Sequence, residues 1–352
     1  MSTPTQSFAP VAEVPAVRRI HSASPPLASS HAPGVSVSTV STQHDWAVIL
    51  AAGDGTRLAA LTRDINGVVI PKQFCSLNGG PSLLAKALAR AARVVPQGRI
   101  CAVVAAKHSP YWVRDLAAIP HSHIIVQPEN RGTAHGVLLA ALCIQRLDPL
   151  ARIGFFPADH HVADEPALAH GLLQVVPRGR GDRRTITLVG VEPDEADPEL
   201  GYIVADETGS QGHFPVRRFV EKPSKAEAEG LIAAGALWNS FIFAADVAPL
   251  LHLLGQHLNH ASRMCRAVES GCDALVDLYR EIPSIDFSRS IMQDHEMHLS
   301  VVRTPRCGWS DLGTPARVAR TIRQLKHIGQ ERLPEQAEHS VSLLARLSMM
   351  AL

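Results

Sequence analysis

Residues 46–58 read WAVILAAGDGTRL. The apolar run Trp46–Leu50 has the continuous character of a strand buried on both faces. It passes within three residues into glycine, acid, glycine, hydroxyl and guanidinium. Gly53 and Gly55 have no Cβ, so the backbone there can turn its N–H groups toward an anion and approach it closely. Arg57 adds a fork of donors suited to phosphate oxygens. Taken alone, the stretch fits a phosphate cradle and a plain strand-to-helix turn equally well.

Outward from this strand the same grammar repeats. Residues 82–95 (SLLAKALARAARVV) carry Leu84, Leu88, Ala91 and Val95 on one helical face and Lys86, Arg90 and Arg93 on the other, with Ser82 placed to cap the start. ICAVVA (100–105), HIIVQP (123–128), a helix over 133–146, IGFFPADH (153–160) and TITLVGV (185–191) continue the alternation. Strands separated by helices predict an α/β fold with a mostly parallel, helix-covered sheet. Beyond Asp197 the pattern loosens into paired strands (GYIVAD, FPVRRFVEKP), a helix over 224–234 and then WNSFIFAAD. Mostly helical sequence follows up to LSVVRTP (299–305), so this half is expected to build the second side of a cleft.

The chain has 352 residues, a net charge of +1 and 46% hydrophobic residues, enough for a substantial core. Without a basic run it has no electrostatic footprint for nucleic acid, and without a long apolar run it has no membrane span. Small-molecule substrates are the expected partners. Residues 1–43, rich in Ser, Pro, Ala and Thr, are expected to be a disordered tail. Glu13 beside Arg18 and Arg19 suggests a transit peptide only faintly, because the prolines oppose an amphipathic helix. The six scattered cysteines contain no CxxC pair and read as buried thiols of a reducing compartment, so a cytoplasmic location is the default expectation. Most of the 18 histidines are expected at the surface. His160 and His161, adjacent on a strand end, should face opposite ways and not chelate one metal.

LAAGDGTRL (50–58) followed by Pro71-Lys72-Gln73-Phe74 resembles the signature of the sugar nucleotidyltransferases, and in this form most resembles their mannose-1-phosphate guanylyltransferase family. QPENRGTA (127–134), PADH (157–160), FVEKP (219–223), WNSF (238–241) and WSDLG (309–313) follow in that family's order. The resemblance implies a Rossmann-like nucleotidyltransferase (GT-A-like) fold: a mixed, mostly parallel sheet with helices on both faces. It further implies a nucleotidyltransferase domain over 44–327, with a nucleotide-binding half (44–196) and a sugar-phosphate half (197–327). A helical tail would occupy 328–352.

For the site, the resemblance implies catalytic roles for Arg57, Lys72, Asp159 and Asp311, with Asp159 and Asp311 as ligands of Mg²⁺. Leu50, Ala51, Gly53, Gly55, Thr56, Gln127, Gly132 and Thr133 would bind the nucleoside triphosphate. Gly201, Glu221, Lys222 and Asn239 would bind the sugar 1-phosphate. The residues themselves suit these tasks. Asp159 follows an apolar run and should sit at the carboxyl end of a strand, where α/β sheets place ligands, although an Asp there could also cap the next turn. Carboxylates suit Mg²⁺, which prefers oxygen and keeps several waters. Glu221 and Lys222, successive on a strand, should point in different directions, and an exposed acid–base pair is their ordinary alternative. Asn239 offers both a donor and an acceptor.

The implied reaction moves a nucleotidyl group, from GTP by the family most resembled, to a sugar 1-phosphate such as mannose 1-phosphate, releasing pyrophosphate and forming a nucleotide sugar such as GDP-mannose. The chain departs from the family pattern at Ala52 for the second glycine, Ala59-Ala60 for Trp-Pro, a longer link through 62–67, and Arg131-Gly132-Thr133-Ala134-His135 for Arg-Asn-Thr-Ala-Pro. These changes lie on the nucleotide side and leave the base open. A uridylyl- or thymidylyltransferase acting on a glucose-type phosphate stays an alternative, as does a non-catalytic nucleotide-sugar-binding regulator. A cytidylyltransferase of isoprenoid synthesis lacks FVEKP, WNSF and WSDLG. The oligomeric state is open, with a homodimer among the options.

Overall fold

The structure is a computed structural model that describes residues 43–64, 66–177, 185–209, 212–327 and Leu343. The expected N-terminal tail and nearly all of 328–352 lie outside these residues.

Nine strands among the described residues form one mixed sheet: β1 (Asp45–Ala51), β2 (Ile100–Ala105), β3 (Ile124–Gln127), β4 (Arg152–Pro157), β5 (Ile186–Val191), β6 (Gly201–Ala205), β7 (His213–Glu221), β8 (Leu237–Asp246) and β9 (Leu299–Thr304). Their order is β3-β2-β1-β4-β8-β5-β9-β7-β6. The β3-β2-β1-β4 block is parallel throughout, and β5 pairs β9 in parallel. The pairings of β8 with β4, β5 and β6, and of β7 with β6 and β9, are antiparallel. β8 comes late in the chain yet lies between β4 and β5, so the two sequence halves share one sheet.

Nine helices among the described residues accompany the sheet: α1 (Leu83–Ala91), α2 (Ser109–Asp115), α3 (Thr133–Leu147), α4 (Glu165–Val175), α5 (Lys225–Ala233), α6 (Val247–His257), α7 (Ala261–Ser270), α8 (Cys272–Glu281) and α9 (Pro315–His327). Along β1, Trp46 and Val48 pack with α3, α6, α7 and α8, while Ala47, Ile49 and Ala51 pack with α1, α4 and α5. The strand is apolar throughout because neither face meets water. A third cluster joins Leu58, Leu77 and Leu83 to Leu312 and to Val318 and Ile322 of α9, so α9 backs the loops that follow β1.

Ser82 caps α1 as its position predicts, accepting from Ala85 N at 2.9 Å. Arg90 does not stay on the polar face; it is 1% exposed and donates to Glu165 of α4 at 2.8 and 3.1 Å. A bidentate carboxylate lets the guanidinium leave water. Among the described cysteines, Cys272 is exposed at the start of α8, unlike the buried Cys75, Cys101 and Cys307. Burial pushes the Cys75 and Cys101 thiols up to about 12. Five histidines are buried among the described residues: His108, His135, His161, His213 and His260. No described helix is long and apolar enough to cross a membrane.

His135 of α3 and His260, just before α7, stack and share a hydrogen bond through their Nε2 atoms. His135 Nδ1 lies 2.6 Å from the Arg131 carbonyl and must donate to it, so Nε2 is left as the acceptor of His260 Nε2–H. A proton on His135 Nε2 would oppose two donors. Burial, countered in part by the Arg131 carbonyl, pulls its pKa from 6.5 down to about 4. Between these values the unfolded chain binds the proton that the folded chain rejects, so stability falls as pH drops from 6.5 toward 4. His135→Leu is expected to flatten part of that limb in urea-unfolding free energies measured against pH. An unchanged slope would assign the limb to other groups.

Candidate active site

The carboxyl ends of β1, β3 and β4 open into a cavity of about 490 Å³. On one side the chain leaves β1 through Gly53 and reaches a short 3₁₀ turn at Thr56–Leu58. Gln73, buried beneath this loop, donates to the carbonyls of Ala51 at 2.9 Å and Gly53 at 2.8 Å. Gly55 sits at φ +62°, and a Cβ there would stand 2.9 Å from Lys72 N, so the loop and the Pro71–Phe74 segment meet backbone to backbone. Arg57 reaches the cavity wall in an exposed ion pair with Glu199 at 3.5 Å, a contact weak enough to exchange for a ligand.

Lys72 is buried and lies 2.8 Å from Asp159 Oδ2, while its ammonium also donates to the backbone carbonyls of Asp311 at 2.6 Å and Leu312 at 3.4 Å. It therefore stands behind the cavity wall and joins the two acidic residues. Antiparallel hydrogen bonds of 2.9 Å in both directions between His161 and Ser310 fasten the same two segments. Burial raises the Asp159 pKa, but Lys72 and then His160 outweigh it and hold the carboxyl below its usual range. For Asp311 burial is outweighed by Arg317, which hydrogen-bonds Oδ1 and grips Asp197 at 2.8 and 3.0 Å.

Asp159 and Asp311 both line the cavity as carboxylates. Asp311 Oδ1 is taken by Arg317 and Gly313 N and Asp159 Oδ2 by Lys72, while Asp159 Oδ1 keeps only a longer contact of 3.6 Å with His160 Nε2. No cluster of three or more metal-ligating side chains occurs among the described residues. Two hard carboxylates match the way Mg²⁺ binds, through one or two protein oxygens with waters and substrate phosphates completing its shell. His160 lines the cavity, its ring edge-on to Trp309 at 5.4 Å, whereas His161 is buried and held near 3 by burial, then by Lys86 and Arg90.

The same cavity is also lined by Gly201, Glu221, Lys222 and Asn239. Glu221 and Lys222 do not diverge as strand alternation predicts: Lys222 Nζ lies 3.4 Å from Glu221 Oε1, and both line the cavity. The cause is the backbone, since β7 ends at Glu221 and Lys222 adopts φ +53°, which turns it back to its neighbour's side. Burial pushes the Glu221 pKa up, with Lys222 opposing and Asp286 adding to the rise. Asn239 owes its place to a β-bulge: the β5–β8 register shifts between Leu188 and Gly190, and Phe241 takes φ +57°. Ser240 Oγ secures the bulge, donating to Val189 O at 2.6 Å and accepting from Ile242 N at 3.1 Å. Gly201 leaves the room, because a Cβ there would lie 2.6 Å from Glu221 Oε2 and 3.2 Å from Asn239 Cβ.

The N-terminus of α3 closes the loop side, with Gly132 and Thr133 at the wall. Gly132 has φ +85°, and a Cβ would fall 2.2 Å from the Ile285 carbonyl, so the glycine replacing the family's asparagine is required by the packing of 283–287 against this turn. Thr133 Oγ1 accepts from Phe287 N at 2.8 Å. Gln127 is buried and donates to Tyr279 of α8 at 2.8 Å.

Of the residues expected at the site, Ala51, Gly55, Thr56 and Lys72 do not reach the cavity, and the other twelve do. Sequence reasoning missed Gln73, Glu199, Asp286 and Arg317. Gln73 was visible inside PKQF, but a buried amide and a surface one read alike in sequence.

The fold and this cavity define an α/β protein that opens its ligand crevice at the carboxyl ends of parallel strands, with a helix N-terminus suited to anions. Residues 46–327 match the Nucleotidyl transferase family, and the chain belongs to it. Similar proteins include the xanthan biosynthesis protein XanB of Xanthomonas campestris pv. campestris (strain B100), 29% identical over 76% of this chain and 57% of its own length. The mannose-1-phosphate guanylyltransferase of Escherichia coli (strain K12) is 28% identical over 76% of this chain and 58% of its own. The chain thus spans little more than half the length of these curated relatives. Among solved structures, mannose-1-phosphate geranyltransferase from Thermus thermophilus aligns at TM-score 0.69 and 27% identity, over 82% of this chain and 80% of that one.

Proposed function

We propose that the chain transfers a guanylyl group from GTP to mannose 1-phosphate, releasing pyrophosphate and forming GDP-mannose. The observation that carries this reading is the continuity of one cavity from the glycine loop and α3 N-terminus to Glu221, Lys222 and Asn239. A space of about 490 Å³ lies within the range of sites that enclose small ligands. The similarity to a mannose-1-phosphate guanylyltransferase supports the choice of base and sugar.

In this reading residues 44–196 hold the nucleotide and 197–327 the sugar phosphate. The triphosphate lies along Gly53 and the α3 N-terminus, and Arg57 exchanges Glu199 for its oxygens. The sugar phosphate rests against Lys222, while Glu221 accepts from sugar hydroxyls and Asn239 completes their hydrogen bonds. An oxygen of the sugar 1-phosphate attacks the α-phosphorus in line as pyrophosphate leaves. That oxygen is already anionic, so no protein base is needed, and the chain contributes alignment and fixed charge. Asp159 and Asp311 would hold Mg²⁺, which neutralises phosphate charge when bound. Lys72 fixes the Asp159 carboxylate and adds its own positive charge at the triphosphate end.

A matrix of nucleoside triphosphates and hexose 1-phosphates with Mg²⁺, read as pyrophosphate release, is expected to peak for GTP with mannose 1-phosphate. A peak with UTP or dTTP would overturn the substrates, and binding without turnover for every pair would favour a regulator. Asp159→Ala is expected to lower kcat by about 100-fold or more. Near-normal turnover would remove Asp159 from the reaction. In Gly201→Ala the new Cβ meets the movable end of Glu221 at 2.6 Å and Asn239 Cβ at 3.2 Å, so the carboxylate shifts and Asn239 gives by a few tenths of an ångström while the fold persists. Its KM for the sugar phosphate is expected to rise about tenfold, a loss on the order of one charged hydrogen bond, with KM for the nucleotide unchanged.

A further inference from the structure

A second pocket, of about 300 Å³, lies between β6, β7 and α5 and shares no lining residue with the large cavity. We propose that it binds a small phosphate monoester carrying an apolar body.

Three independent features converge there. The first is a β-bulge. Val204 pairs with Arg218 and Ala205 with Val216, so Arg217 is an extra residue on β7. The packing agrees, since Val216 and Phe219 join the same core cluster although three residues apart, and an unbroken strand would send them to opposite faces. The bulge brings two successive arginines, Arg217 and Arg218, to the same pocket, a re-aiming of side chains that bulges commonly serve.

The second feature is charge. Glu227 of α5 holds Arg218 at 2.7 Å and orients its guanidinium, whereas Arg217 has no ion-pair partner among the described residues. One positive charge is left over beside two guanidinium forks, the donor set that matches phosphate oxygens. The third is a glycine without a packing reason. Gly230 lies in the interior of α5, where glycine weakens a helix relative to alanine, yet a Cβ at this position would meet nothing within 4 Å. Gly230 is exposed, so the missing side chain leaves open space at the rim of this pocket. Val204, Leu231 and Ala234 supply the apolar part of the wall, suited to the body of the ester.

Amide hydrogen exchange of the full chain, with and without excess phenyl phosphate, tests this site. Exchange is expected to slow in β7 around Arg217 and in α5, and phenol is expected to leave both unchanged. Gly230→Leu fills the pocket and Arg217→Gln removes its unpaired charge. Arg217→Gln is expected to weaken the effect about tenfold or more, as loss of a charge-assisted contact does, and Gly230→Leu to weaken it at least as much by occupying the space. Arg217 is exposed, so Arg217→Gln remains a test even if Gly230→Leu does not fold. The proposal is overturned if phenyl phosphate slows no amide in β7 or α5, if phenol acts equally, or if the effect persists in Arg217→Gln.

Discussion

The candidate site depends on one buried cation. Lys72 has left water, a transfer that costs several kcal/mol unless the charge is paired. Asp159 and the carbonyls of Asp311 and Leu312 provide that pairing. Three stretches distant in sequence thereby meet at one nitrogen: the segment after the glycine loop, the end of β4 and the loop before α9. Gly55 allows the first to lie close, the His161–Ser310 bridge fastens the other two, and the leucine cluster under α9 backs them. Arg317 repeats the device one layer out by joining Asp311 to Asp197.

Backbone strain gathers at the same place. Lys222, Phe241 and Leu312 are three of the four non-glycine residues with positive φ among those described, and each adjoins the cavity or one of its acidic residues. Such conformations cost about 1–3 kcal/mol each and persist only where packing enforces them. Here they turn side chains that regular strands would send elsewhere. Lys222 returns beside Glu221, and the bulge at Ser240–Phe241 accompanies Asn239 at the wall.

Much of the fold was legible. The first strand, the capped helix after it and the helix at 133–147 emerge from apolar periodicity, because burial on one or two faces leaves a local pattern. The insertion of β8 between β4 and β5 leaves none, since strand order depends on distant pairing. Arg90 was placed on the wrong face, and nothing local marked His135 as buried, for a related reason. A polar residue can be buried wherever a remote partner satisfies it, as Glu165 does by accepting from Arg90 and His260 by donating to His135.

The sequence by itself determined the α/β alternation, the glycine loop after β1 and the succession of short motifs, all properties of neighbouring residues and of their spacing. Only the tertiary structure decided that Lys72 stands behind Asp159, that Glu221 and Lys222 share a direction, and that Gly132 answers to Ile285. It alone also set Arg217 and Arg218 beside an unfilled pocket. Each of these is a contact or a backbone turn imposed by segments far apart in the chain, and close packing rather than local preference selects it.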